Sequence, residues 1–106
     1  MQVVIFHEKA REVIRAFPVE ARKSIGKAIL DLQKGHHLTL PLSKPIPSVG
    51  LGVDELRLKD SSRIYRVFYY KKDKRGILIL HAFIKKTQKT AKHEIEIGKR
   101  RLKEML

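Results

Sequence analysis

The sequence predicts an α+β fold in the order βααβββα: a helical hairpin and a C-terminal helix with a small, mainly antiparallel sheet. Three observations lead there. Two stretches of helical period meet at a proline near the start, three runs of strand alternation follow one another through short polar turns, and a helical period returns at the end. Consecutive strands joined by turns this short pair as an antiparallel meander. The apolar sides of the helices then need a sheet to cover, and the arrangement expected is helices over one face of it.

Gln2 to Phe6 is β-branched and aromatic, a short strand. From His7 the period changes, and Ala10, Val13, Ile14 and Phe17 fall on one helical face with Glu8, Lys9, Arg11, Glu12 and Arg15 outside it. Pro18 ends that helix and suits the first turn of a second, whose buried stripe is Ala21, Ile25, Ala28, Ile29 and Leu32 and whose stop is Gly35. His36 to Val53 holds Pro41, Pro45, Pro47, Gly50 and Gly52 with no sustained period. It reads as a long loop, either functional or a cover whose Leu38, Leu40, Leu42 and Ile46 pack on the core.

In Asp54 to Lys59, Leu56 and Leu58 point one way and Glu55, Arg57 and Lys59 the other; Asp60-Ser61-Ser62 is a turn. The strand Arg63 to Lys71 puts Tyr65, Val67 and Tyr69 on one face and Ile64, Arg66, Phe68 and Tyr70 on the other. After a turn at Asp73 to Gly76, Ile77 to Lys85 is apolar on both faces, as a central strand is. Strict alternation would align Ile77, Ile79, His81, Phe83 and Lys85 in one row and Leu78, Leu80, Ala82, Ile84 and Lys86 in the other; register leaves open which row shares a face with Arg66. Thr90 is the expected N-cap of the last helix, with Ala91, Ile95, Gly98, Leu102 and Met105 or Leu106 on its inner side. Gly98 costs that helix about 1 kcal/mol relative to Ala unless another backbone approaches it closely.

At 106 residues the chain is expected to be one domain, residues 1–106. Lys+Arg 24 against Asp+Glu 11 gives a net charge of +13. So large a surplus repels itself and calls for an anionic partner, a polyanion first of all. A membrane surface fits less well, because the basic residues are spread over strands and helices and not along one amphipathic helix. The absence of cysteine excludes disulfides and Cys-based zinc sites. Met1 to His7 lacks a basic leader and a full apolar segment, and no stretch approaches the roughly 20 apolar residues of a membrane span. A cytoplasmic protein without membrane attachment is the expectation.

The run ILILHAFIKKTQKT delivers Lys85, Lys86 and Lys89 to the end of the sheet, where Arg57 and Arg66 can meet them. With Phe68, Tyr70 and Phe83 nearby, such a face suits RNA, since bases stack on aromatic rings and phosphates pair with cations. An ordinary solvated sheet face reads equally well from charge alone. His81, between Leu80 and Ala82, is a base or, more commonly in such a strand, a hydrogen-bonded structural residue. His36-His37 has no third ligand at a telling spacing, so no metal site is assigned. His93-Glu94 reads as helix surface, and Arg63 touches either RNA or solvent. Lys99, Arg100, Arg101 and Lys103 form a basic tail suited to RNA or to solvent.

The segments ELRLKDSSRIYRVFYY (Glu55 to Tyr70) and ILILHAFIKKTQKT (Ile77 to Thr90) resemble the signature of HigB-type toxins in the RelE/ParE superfamily: an ELR strand, a YRV strand, a run like LLHAFVKKTQKTP and an E-I-rich last helix. The likeness extends over nearly the whole chain; one departure is Ala91 where the family commonly has proline. The resemblance implies a RelE-like microbial RNase fold and the toxin of a type II toxin-antitoxin system. It further implies a metal-independent endoribonuclease with no cofactor, which cuts mRNA on the ribosome. The expected partners are A-site mRNA, ribosomal RNA and a HigA-type helix-turn-helix antitoxin, with operator DNA reached only through the antitoxin.

By position, the resemblance assigns catalysis to Arg57, Arg66, Lys85 and Lys86. The arginines would stabilise the phosphorane, since guanidinium does not act as a base, and a lysine of lowered pKa would carry the proton. Lys59, Arg63, His81, Phe83 and Lys89 are the expected RNA contacts. Two other readings stand beside this one. A ParE-like inhibitor of DNA gyrase shares the fold, and a non-catalytic basic RNA-binding module shares the charge.

Overall fold

The computed structural model describes residues 1–106 and carries the expected α+β architecture with one further strand. The elements are β1 (Val4–Phe6), α1 (Glu8–Ala16), α2 (Val19–Gln33), β2 (Ser43–Pro45), β3 (Val53–Lys59), β4 (Ile64–Asp73), β5 (Gly76–Lys85) and α3 (Lys92–Met105). The five strands lie in the order β1-β5-β4-β3-β2; β1 runs parallel to β5 and every other pair is antiparallel. No helix is long and apolar enough to cross a membrane.

The additional strand is β2, inside the stretch expected to be loop. Ser43, Lys44 and Pro45 pair with Leu56, Glu55 and Asp54. Sequence period misses it because it is three residues long and ends in proline, which only an outermost strand tolerates. Its anchor is a buried hydrogen bond of 2.7 Å between the Ser43 and Tyr69 hydroxyls. Leu38, Leu42 and Ile46 of this stretch do pack on the core, whereas Leu40 stands 62% exposed.

Helices cover both faces of the sheet, not one. On the first face α1 and α2 bring Ala10, Phe17, Ala21, Ile25, Ala28, Ile29 and Leu32 onto Leu56, Tyr65, Val67, Tyr69, Ile77, Ile79 and Ala82. On the second face α3 lays Ile95, Leu102 and Met105 over Phe68, Leu78, Leu80 and Phe83, with Val49 and Val53 alongside. The sequence hides this because β4 carries large apolar residues toward both sides. Gly98 lets α3 come close: a Cβ there would stand 2.8 Å from the Phe68 ring and 2.9 Å from Val49. The close approach is thus by side chains and not by another backbone. Gly76 is held likewise, with φ of 143° and the Val3 carbonyl where its Cβ would be.

The strict alternation expected for β5 breaks at a bulge. Phe68 pairs with His81 but Tyr69 with Ile79, so Leu80 is the extra residue. Leu80 and His81 therefore follow one another on the α3 side. The observed rows are Ile77, Ile79, Ala82 and Ile84 against α1 and α2, and Leu78, Leu80, His81, Phe83 and Lys85 on the other face. Thr90 is also not the N-cap of α3. That position is Ala91, and the Thr90 hydroxyl instead donates to Glu55 Oε2 at 3.1 Å.

A candidate site of converging cations

Register fixes the site. Residues two apart on a strand share a face, and on the α3 face three rungs run across the sheet: Lys44–Glu55–Phe68–His81, then Arg57–Arg66–Phe83, then Lys59–Ile64–Lys85. The bulge at Leu80 is what puts Phe83 and Lys85 in this row beside Arg66. Arg57, Arg66 and Lys85 thus come from three neighbouring strands at one end of the sheet, and the field of Arg66 and Arg57 is felt at the Lys85 ammonium.

Glu55 and Arg66 are both buried, 1% and 6% exposed, under this end of the sheet. The Glu55 carboxylate lies 3.7 Å from Arg66 Nε, an ion pair too long to be a hydrogen bond. The Arg66 guanidinium donates from Nη1 to the Tyr65 carbonyl at 3.2 Å. Its Nε, and the Nε of Arg57, are the two buried side-chain polar atoms in the chain that find no hydrogen-bond partner. A buried donor left unmade costs about 1–3 kcal/mol, and more when charged. The two donors lie on register-paired residues of neighbouring strands. Burial, and then the Arg57 charge, lower the Arg66 pKa, with Glu55 opposing. Burial is also the first cause that lowers the Lys85 pKa, ahead of the Arg66 charge.

The other expected site residues are placed as follows. Lys86 is exposed just past the end of β5, and Lys59, Arg63 and Lys89 are exposed as well. The Arg63 amide donates to Asp60 Oδ1 at 2.7 Å, so its backbone belongs to the β3–β4 turn. His81 and Phe83 are buried and stacked on each other with ring centroids 5.0 Å apart. His81 Nε2 meets Glu94 Oε1 at 2.8 Å and Nδ1 meets Arg101 Nη1 at 3.1 Å. Arginine only donates, so Nδ1 accepts and Nε2–H donates to Glu94. Burial is the main cause lowering the His81 pKa. Both nitrogens are used, which is the structural reading of His81.

Arg101 and Glu94 were expected on the surface of the last helix and are not. Arg101 is 7% exposed and also donates to the Leu80 carbonyl freed by the bulge, at 3.2 Å. Their signal was present: seven residues apart, with Gly98 between, they share one face of the helix. Sequence reasoning also missed Glu55, Lys44 and Thr90 as members of the site. Glu55 had a usable signal, since alternation puts it on the face of Arg57. Lys44 had none, because β2 was not legible. His36 stands 3.9 Å from Asp31, and His37 Nδ1 lies 2.7 Å from the Lys71 ammonium.

Among known proteins, a family model described as Phage derived protein Gp49-like (DUF891) matches residues 12–103. No curated protein matches the chain. The matched stretch runs from α1 to the last turns of α3 and includes every residue of the three rungs. The chain belongs to the phage-derived Gp49-like family, a family of RelE- and HigB-like toxins associated with toxin-antitoxin systems.

Proposed function

We propose that residues 1–106 form one toxin domain of a type II system and that it is a ribosome-dependent mRNA endoribonuclease of the HigB type. The observation that carries the reading is the pair of buried, unpartnered Nε donors of Arg57 and Arg66 beside Lys85. These donors suit the charge that builds on a phosphorane, and they stand in place before it forms. Glu55 keeps Arg66 in position through their 3.7 Å ion pair, and the proton carrier is sought among the lysines beside them. Lys85 reaches the surface, and its lowered pKa favours the neutral amine.

In this reading the Lys85 amine takes the proton of a ribose 2′-OH, and the 2′-oxygen bonds to the adjacent phosphorus. The bond from phosphorus to the 5′-oxygen breaks with its electron pair, and the Lys86 ammonium protonates the departing oxygen. The products are a 2′,3′-cyclic phosphate and a 5′-hydroxyl. Lys59, Arg63 and Lys89 hold flanking phosphates of A-site mRNA or ribosomal RNA. A HigA-type helix-turn-helix antitoxin restrains the enzyme in the cytoplasm and carries it to operator DNA.

Induction in cells tests this. The wild-type chain is expected to arrest growth and to leave new mRNA 5′ ends only while translation runs, and Arg66→Ala, folded by circular dichroism, to do neither. Gyrase-trapped DNA without mRNA fragments would transfer the chain to the gyrase-inhibitor reading. Harmless accumulation would make it a binding module.

A further inference from the structure

The strand β5 is paired on its outer edge only as far as Ile79, where β1 ends. Beyond that point a cleft of about 500 Å³ opens between α1 and the start of α3, within the size range of small-ligand sites. Val13, Phe17 and Phe83 supply apolar and aromatic wall, Ala91 leaves room, and Lys85, Lys86 and Glu94 are its charged groups. We propose that this cleft is the subsite for the nucleobase next to the scissile phosphate, and that it selects bases carrying an exocyclic amino group over uracil. The inference rests on the nuclease reading of the adjoining cations.

Three features of the cleft favour a base over any other occupant. First, it is continuous with the cation cluster. Lys85 lines it and also feels Arg57 and Arg66, and Phe83 lines it and is the register partner of Arg66. A nucleotide with its phosphate on the guanidinium groups has its base within a side chain's length of this opening. Second, the walls are apolar and aromatic, as a flat π-face requires, while the one carboxylate would repel a second phosphate. Third, Glu94 is half committed: Oε1 accepts from His81, while no protein donor reaches Oε2. A fixed acceptor in an apolar cleft pairs with an amino group, whereas uracil offers it one N3–H flanked by two carbonyls that oppose the carboxylate.

The test is titration of the full-length, isotope-labelled chain with nucleoside 3′-monophosphates and with inorganic phosphate, read by NMR. Adenosine, guanosine and cytidine 3′-monophosphates are expected to shift the Val13, Ala82 and Ile84 methyls together with the Arg57 and Arg66 Nε–H signals. Uridine 3′-monophosphate and inorganic phosphate are expected to shift the Nε–H signals and leave the methyls in place. Glu94→Gln keeps an oxygen for His81 yet lowers the preference for amino-bearing bases by roughly tenfold or more, the worth of a hydrogen bond to a charged acceptor. Val13→Phe fills the cleft from α1 and removes the methyl response. If the Nε–H signals move and the methyls answer no nucleotide, the subsite is overturned and the nuclease reading stands. Should neither set move, the subsite is overturned, and mRNA cleavage on ribosomes decides the nuclease reading separately.

Discussion

The two faces of this one sheet are built on opposite terms. Against α1 and α2 the packing is apolar throughout, and the large polar side chains in it, Tyr65 and Tyr69, have their hydroxyls paired with Asp60 at 2.8 Å and Ser43 at 2.7 Å. Against α3 the same strands bury Glu55, Arg66, His81 and Arg101 and leave two guanidinium donors without partners. The first face spends nothing on polar groups and holds the fold. The second gives up part of its hydrogen bonding, and in the proposed reading it keeps charge in place for a phosphate. In that reading stability and function are separated by the thickness of a β-strand, and substitutions on the two sides are expected to behave differently.

The largest effect is expected on the closed face. Leu56→Ala removes a side chain with no exposure and is expected to cost about 2–5 kcal/mol of unfolding free energy in denaturant titrations. Cleavage per folded molecule should survive. A loss of cleavage out of proportion to unfolding would break the division. Its counterpart on the other face is Arg57→Met, which removes one orphaned donor and a charge that opposes Arg66. Cleavage is expected to fall about 10²- to 10³-fold, the effect of losing one preorganised donor, with stability unchanged or raised. A clear drop in melting temperature would show that Arg57 is structural after all.

Lys85 sharpens the contrast through pH. Burial and the arginines lower its pKa below the ordinary lysine value of 10.5, so the neutral amine becomes available at a lower pH than for a free lysine. Cleavage is expected to rise with pH along a limb centred below that value, and Lys85→Arg should remove the limb. At the seam between the faces and α3, Gly98→Ala sets a helix-propensity gain of about 1 kcal/mol against a Cβ 2.8 Å from Phe68. Overpacking of about 1–3 kcal/mol is expected to win, and a stabilised variant would mean that α3 sits loosely on the sheet.

The smallest effect belongs to the β3–β4 turn. The Ser62 amide first, then the Tyr65 hydroxyl and the Arg63 amide, hold the Asp60 pKa at about 2, below its ordinary 3.8. A carboxyl lowered on folding stabilises above its unfolded pKa, and that contribution is lost as pH falls through the folded one. Asp60→Asn is therefore expected to melt below the wild type at neutral pH, with the gap closing between pH 3.8 and about 2. A gap that persists at the acid end would assign the effect to geometry and not to charge.

Much of this was legible in the residues. Period alone places α1, α2, β3, β4 and α3, because each repeats its residues at helical or strand spacing between recognisable stops. The assignment of Arg57 and Arg66 to one face follows from strand parity without any coordinates. What stayed hidden was non-local. The bulge at Leu80 leaves no mark in an all-apolar run, yet it decides that Lys85 faces Arg66. The strand β2 is too short to show a period, so Lys44 was missed. Glu94 and Arg101 carry the letters of a surface helix, and they turn inward, Arg101 buried and Glu94 partly so, because His81 and the Leu80 carbonyl wait beneath them.

The most direct trial of the account is a single-turnover cleavage assay on purified ribosomes programmed with a defined mRNA, with the fragment ends identified chemically. The wild-type chain should yield a 2′,3′-cyclic phosphate and a 5′-hydroxyl, and folded Arg66→Ala should yield neither at a measurable rate. Intact mRNA with the wild-type chain, or undiminished cutting by Arg66→Ala, would contradict the claim that these cations act together on one phosphodiester.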